Sequence, residues 1–97
     1  MSLPVVWSPA AKAEFYAAEK WYADISTELA ERFAQAVDDG LETIAQYPFR
    51  FPVVHKGKRR AFVRRFPYSL VYLVEDARIV MIACFHGKRN PRHWQGR

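Results

Sequence analysis

Residues 68–86 read YSLVYLVEDARIVMIACFH, and this stretch decides the fold. Two runs rich in β-branched, aromatic and other apolar residues, Tyr68–Glu75 and Arg78–His86, flank the dipeptide at 76–77. Such runs around a two-residue connection are typical of a β-hairpin. The register that this turn predicts pairs Val74 with Ile79, Tyr72 with Met81 and Leu70 with Ala83.

Two amphipathic helices are predicted upstream of the hairpin. Ser8-Pro9 is typical of a helix start, because the serine side chain can accept from the first turn and proline has no N–H to leave unpaired there. Asp24–Thr27 interrupts the pattern, and its serine or its threonine can cap the second helix. Apolar residues then recur with helical spacing from Leu29 to Ile44. The aromatic residues expected in the core are Trp7, Phe15, Trp21 and Phe33.

Two further strands, Leu3–Trp7 and Arg59–Phe66, complete the predicted sheet. The predicted fold class is α+β with the order βααβββ. An N-terminal strand and an antiparallel helical hairpin would pack on one face of a mainly antiparallel four-stranded sheet. With 97 residues, the chain 1–97 is expected to form a single domain around one core.

Both faces of the predicted hairpin are apolar, whereas an antiparallel sheet with one face in water alternates apolar and polar residues. Two helices about 10 Å apart cover one face of a four-stranded sheet, whose strands lie about 4.8 Å apart. The other face is therefore expected to stay open and to bind a second protein. The alternative is that the Pro48–Lys58 loop and the C-terminal tail fold over it. The residues of this face are Val71, Leu73, Val80, Ile82 and Cys84.

Charge divides the chain into two halves. Residues 1–47 carry three Lys or Arg and eight Asp or Glu, which gives a net charge of −5. Residues 48–97 carry twelve Lys or Arg and two Asp or Glu, which gives a net charge of +10. A separation of this size makes an anionic partner for the C-terminal half the first functional hypothesis.

Composition excludes several classes of protein. The single cysteine, Cys84, can form neither an intrachain disulfide nor a cysteine metal cluster, which is typical of a reducing cytoplasm. The first residues lack the basic and apolar regions of a signal peptide, and no apolar run approaches the roughly 20 residues of a membrane helix. A cytoplasmic protein without a metal site, a cofactor or a membrane partner is expected.

Two blocks in the C-terminal half are distinctive. Residues 60–72 read RAFVRRFPYSLVY, in which Pro67-Tyr68 opens a strand and Tyr72 follows four residues later. Residues 86–94 read HGKRNPRHW. At this spacing, behind a strand and a helical hairpin, the chain resembles the RelE/ParE superfamily of bacterial type II toxins over essentially its whole length.

The resemblance implies a βααβββ toxin that a cognate antitoxin holds inactive in a hetero-oligomer. The open face, with Val71, Leu73, Val80 and Ile82, would be the natural site for the antitoxin. The resemblance also implies one of two activities. ParE-like toxins poison DNA gyrase, and RelE-like toxins cleave mRNA in the ribosome.

Two departures from the ribonuclease pattern favour the ParE-like branch. RelE-like toxins place an arginine directly after the aromatic residue that opens this strand, where this chain has Ser69. They also carry a catalytic tyrosine near the C-terminus, where this chain has Trp94. The chain is therefore predicted to poison gyrase without chemistry of its own. The predicted target contacts are Arg60, Arg65, Arg89 and Trp94.

Two alternatives remain open. A ribosome-dependent mRNA endonuclease would use His86 as acid or base, with Arg65 and Arg89 stabilising phosphate charge. The second alternative is a non-catalytic nucleic-acid-binding module. It is disfavoured because the usual recognition elements are missing and the helices are acidic.

Overall fold

A computed structural model describes residues 2–97, which form five strands and three helices in one layered α+β arrangement. In chain order the elements are β1 (Val5–Trp7), α1 (Pro9–Ile25), α2 (Thr27–Gln46), β2 (Val53–His55), β3 (Lys58–Phe62), β4 (Tyr68–Val74), β5 (Ile79–His86) and α3 (Arg92–Gln95).

The strands form one mixed sheet in the order β1-β5-β4-β3-β2. β1 is parallel to β5 and the other neighbours are antiparallel. The predicted α+β class and βααβββ order are confirmed, with β2 and α3 added, so the sheet has five strands rather than four. β2 was missed because three residues between Pro52 and a Gly57 turn resemble a loop.

Serine residues fix the start of both long helices. Ser8 Oγ accepts from the Ala11 N–H at 3.2 Å, and Pro9 is the first helical residue. Ser26 ends α1 by donating its N–H to Tyr22 O at 2.9 Å, and its Oγ accepts from the Leu29 N–H at 3.1 Å. Ser26, rather than Thr27, is therefore the cap between the antiparallel helices.

The helical hairpin covers one face of the sheet. Phe33 of α2 is fully buried, and its ring lies 5.2 Å from those of Phe66 and Tyr68 and 5.9 Å from that of Phe15. Trp21 differs from the expectation: it is 63% exposed and is not a core residue. The fully buried sheet residues under the helices include Leu70, Tyr72, Ile79 and Met81.

A β-bulge changes the predicted register of the hairpin. Val74 pairs with Ile79 and Tyr72 with Met81, as predicted, but Leu70 pairs with Cys84 instead of Ala83. Ile82 is the additional residue in β5, so the alternation shifts by one beyond it. As a result Cys84 lies on the helix face, whereas Ala83 and Phe85 lie on the opposite face with Val71.

The expectation that the second face is open is wrong for its centre. Val71 is fully buried and Ile82 is 8% exposed, while Leu73 and Val80 remain half-buried. The C-terminal tail folds over this face, as in the alternative considered above, and Trp94 of α3 packs into it at 3% exposure. The Pro48–Lys58 segment instead extends the sheet as β2.

Candidate functional site

Three strand ends and two connections meet at one end of the sheet. Phe62 at the end of β3 pairs with Ser69, and the Gly87 N–H donates to Pro67 O at 2.8 Å, which joins the loop after β5 to the β3–β4 turn. We call this region the basic end. Its cationic and histidine side chains are Arg60, Arg64, Arg65, His86, Lys88 and Arg89.

The β3–β4 turn holds Arg65 in an unfavourable backbone conformation. Phe66 donates its N–H to Val63 O at 3.2 Å, which closes a four-residue turn, and Arg65 has φ of 69°. A residue with a Cβ costs about 1–2 kcal/mol there, whereas glycine does not. The predicted strand Arg59–Phe66 therefore ends early, at Phe62. Arg64 and Arg65 are both exposed at the tip.

Arg60 is held beside Ser69 by a hydrogen bond and two aromatic contacts. Its Nε donates to Ser69 Oγ at 3.0 Å, and its guanidinium lies 4.5 Å from the ring centre of Phe62 and 5.7 Å from that of Phe85. Ser69 is 1% exposed. Ser69 is the position for which the resemblance implied an arginine in the RelE-like branch, and Arg60, not Arg65, places a guanidinium next to it.

Tyr68, His86 and Arg89 form the other side of the basic end. The rings of Tyr68 and His86 meet edge to face at 5.3 Å, and the Arg89 N–H donates to His86 O at 3.0 Å. His86 Nδ1 accepts from the Lys88 N–H at 3.1 Å, so the neutral ring carries its proton on Nε2. Burial raises the pKa of the Tyr68 hydroxyl more than the nearby Arg89 lowers it, so Tyr68 stays a neutral donor.

The arginines of the basic end lack acidic partners. Within residues 2–97, no carboxylate lies within 4.0 Å of Arg60, Arg64, Arg65 or Arg89. The chain pairs other arginines instead, for example Arg32 with Glu28 at 2.6 Å. The structure thus brings three of the four predicted target contacts to one end of the sheet.

Trp94, the fourth predicted contact, is not at the surface. It is 3% exposed, its ring lies 5.7 Å from Phe85 and 6.2 Å from His55, and its indole N–H is buried without a hydrogen-bond partner. The expectation of a direct target contact by Trp94 is wrong in this conformation, because the residue serves as the core of the second face.

The tail is fixed by three polar residues whose pairing the sequence did not predict. Arg97 donates to both carboxylate oxygens of Glu14 at 2.8 and 3.2 Å and to Ile82 O at 3.1 Å. Lys58, which is 7% exposed, donates to Gln95 O at 3.2 Å. Glu14 and Arg97 are 83 positions apart, and no local sequence signal reports such a pair.

Other chemistry is limited. Burial, and then the nearby Glu14 carboxylate, raise the pKa of the Cys84 thiol to about 12, so it stays protonated and unreactive. No cluster of three or more metal-ligating side chains occurs in the part of the chain that the structure describes. None of the helices formed by residues 2–97 is both long and apolar enough to cross a bilayer.

Several solved structures share this fold. The chain superimposes on a chain of the chromosomal ParDE toxin–antitoxin system of P. aeruginosa with a TM-score of 0.76 at 20% identity, covering 88% of this chain and 96% of the other. The RelBE2 toxin–antitoxin complex of Mycobacterium tuberculosis gives 0.60 at 18% identity, covering 89% and 99%. The YoeB dimer of Staphylococcus aureus gives 0.58 at 17% identity, with the same coverage.

Sequence comparison identifies the family. No curated protein sequence matches significantly, and at these identities the solved structures establish the fold alone. The sequence profile described as the ParE toxin of the type II toxin–antitoxin system parDE, however, matches residues 5–91. That match spans all five strands, both long helices and the basic end. The chain therefore belongs to the ParE toxin family of the RelE/ParE superfamily.

Proposed function

We propose that this ParE-family toxin poisons DNA gyrase by binding through the basic end, without chemistry of its own. Arg60, Arg65 and Arg89 are the proposed contacts. The observation that supports the proposal is the group of guanidiniums without acidic partners at one end of the sheet, where Arg65 has an unfavourable backbone conformation. Gyrase trapped on cleaved DNA presents phosphates and polar groups that such a surface can contact.

A ribosome-dependent mRNA endonuclease is the second candidate. Tyr68, His86 and Arg89 lie together at the basic end, where they would supply proton donors and a cation for a phosphate. Ser69 and the buried Trp94 weigh against it, because they occupy the positions of the arginine and the tyrosine in the ribonuclease branch.

Induced expression separates the two candidates. We expect growth arrest with double-strand breaks and a DNA-damage response, while bulk mRNA stays intact during the first minutes. Purified chain added to gyrase and supercoiled DNA should increase the fraction of cleaved, enzyme-linked DNA. Rapid mRNA cleavage with an intact chromosome, and no effect on gyrase in vitro, would instead support the endonuclease.

We propose that a cognate antitoxin docks in a groove between α2 and β3. The groove encloses about 880 Å³, and Arg64 and Arg65 lie on its rim. Its apolar lining includes Leu29, Ala36, Phe51, Phe62 and Phe66. The occupant we propose is an amphipathic helix with acidic residues, because apolar residues bordered by Arg64 and Arg65 complement that pattern. The lining includes one carboxylate, Asp39, which accepts from Gln35 Nε2 at 2.9 Å. An antitoxin seated there would cover part of the basic end.

The groove between α2 and β3 replaces the centre of the second sheet face as the proposed site for the antitoxin. Val71 and Ile82 are buried beneath Trp94 and cannot contact an antitoxin while the tail is in place. Leu73 and Val80 are half-buried, and their contact with an antitoxin stays a prediction.

Phe62→Asp tests the groove. Phe62 is 71% exposed, so the variant should fold normally, yet antitoxin affinity should fall roughly thirtyfold or more if Phe62 anchors the partner. Phe49→Asp is the matched control, since Phe49 is 67% exposed and also lies beneath an arginine, at 5.2 Å from Arg59. Calorimetric titration that gives equal affinities for both variants would contradict this docking site.

A further inference from the structure

A second cleft lies between α1 and the end of β5, on the side of the sheet that faces the helices. It encloses about 370 Å³, within the range of small-ligand sites. Ala13 and Ala17 lie one turn apart on α1 and, being small, leave room between the helix and the strand. Trp21 follows one turn later and borders the cleft with most of its indole exposed.

Apart from Glu14, the polar side chains that line the cleft are hydrogen-bond donors. Tyr68, His86 and Arg89 line it together. The Tyr68 hydroxyl and the Arg89 guanidinium have no hydrogen-bond partner within residues 2–97, and the neutral His86 ring carries its proton on Nε2 because Nδ1 is occupied by the Lys88 N–H. An anionic group is therefore the complementary ligand.

Glu14 also lines the cleft, but its carboxylate is already paired with the guanidinium of Arg97. Both oxygens accept from Arg97, and one accepts in addition from the Cys84 N–H at 3.2 Å. The Glu14–Arg97 pair is mostly buried and carries no net charge. The uncompensated charge at this cleft is therefore that of Arg89 and its neighbour Lys88.

We propose that this cleft binds one unpaired nucleotide, with the base stacked on Trp21 and the phosphate on Arg89. An exposed indole offers a face for any base, and a guanidinium in the same lining binds phosphate. The volume suits a single nucleotide rather than a duplex. The site shares Arg89 with the proposed gyrase contacts but not Phe62 or Arg65, and nucleotide binding there does not depend on gyrase being the target. The nucleotide can be free or part of a single strand.

Fluorescence anisotropy with a labelled oligothymidylate of about ten nucleotides tests the site, since such lengths match common single-strand footprints. Trp21→Ala and Arg89→Ala should each weaken binding about tenfold or more. Tyr16→Ala is the control for Trp21, because Tyr16 is an exposed aromatic residue of the same helix. Arg92→Ala is the control for Arg89, because it removes the same charge three residues away.

Two further ligands make the test decisive. An abasic oligonucleotide of the same length should bind several-fold more weakly, because it offers phosphates without bases to stack. Competition by free thymidine monophosphate would show that the cleft accepts a lone nucleotide, and competition by short oligonucleotides alone would show that it takes one within a strand. Equal binding of abasic and normal oligonucleotides, or equal losses in Trp21→Ala and Tyr16→Ala, would overturn the proposal.

Discussion

The double variant Arg65→Gly/Arg89→Ala is expected to lose growth inhibition while it folds at least as stably as the parent chain. Glycine at position 65 removes about 1–2 kcal/mol of strain at φ of 69°, which matches or exceeds the 0.5–1 kcal/mol that glycine costs through the unfolded state. Two charged contacts are worth about 1.5–3 kcal/mol each. Target affinity should therefore fall by at least about a hundredfold.

Arg50→Ala/Arg78→Ala is the charge-matched control. Arg78 follows the β4–β5 turn, at the opposite end of the sheet, and its exposed ion pair with Glu75 contributes little to stability. Growth curves under titrated induction, together with thermal midpoints, give the comparison. If the control lost toxicity to the same degree, net charge rather than the basic end would be responsible. A fully toxic Arg65→Gly/Arg89→Ala chain would place the target contact elsewhere.

Most of the fold could be predicted from the sequence because the motifs that indicate its strands and helices are local. The 76–77 turn and the helix start at Ser8-Pro9 depend on neighbouring residues, and both are found where they were predicted. The bulge at Ile82 depends on no such signal. Every residue from Ile79 to Phe85 is apolar, so a shift by one residue moves no polar side chain into the core, and the pattern cannot define the register.

The prediction that the second face is open failed for a different reason. The tail after Gly87 is polar and basic in sequence, which is typical of a solvated terminus. Its attachment depends on one tryptophan and on pairs made across the whole chain, namely Arg97 with Glu14 and Lys58 with Gln95. The geometry of such pairs exists only after folding.

The candidate site was predicted in part for the same reasons. Clustered arginines in β3 and after β5 come together because those strand ends flank β4 in the sheet. The sequence could not tell which arginine would lie beside Ser69. Arg60 lies beside Ser69 because its guanidinium is placed between the rings of Phe62 and Phe85. Phe85 lies on the same face of the sheet as Val71 only because of the bulge at Ile82.

Trp94→Ala is expected to lower the free energy of unfolding by about 3–5 kcal/mol, a large fraction of the stability of a small domain. The ring is 3% exposed and fills the space over Val71 and Ala83, so its loss leaves a cavity and exposes the sheet. Trp94→Phe should cost far less, because it keeps an aromatic ring and removes an indole N–H that is buried without a partner.

Trp21→Ala provides the matched control for this measurement, since Trp21 is 63% exposed and its removal should change stability by no more than about 0.5 kcal/mol. Urea denaturation of the three variants, with the slope of the transition compared, separates lost packing from a change in the unfolded state. A Trp94→Ala chain as stable as Trp21→Ala would mean that the tail is detached in solution. In that case Val71 and Ile82 would be accessible, and the second face would again be a candidate surface for the antitoxin.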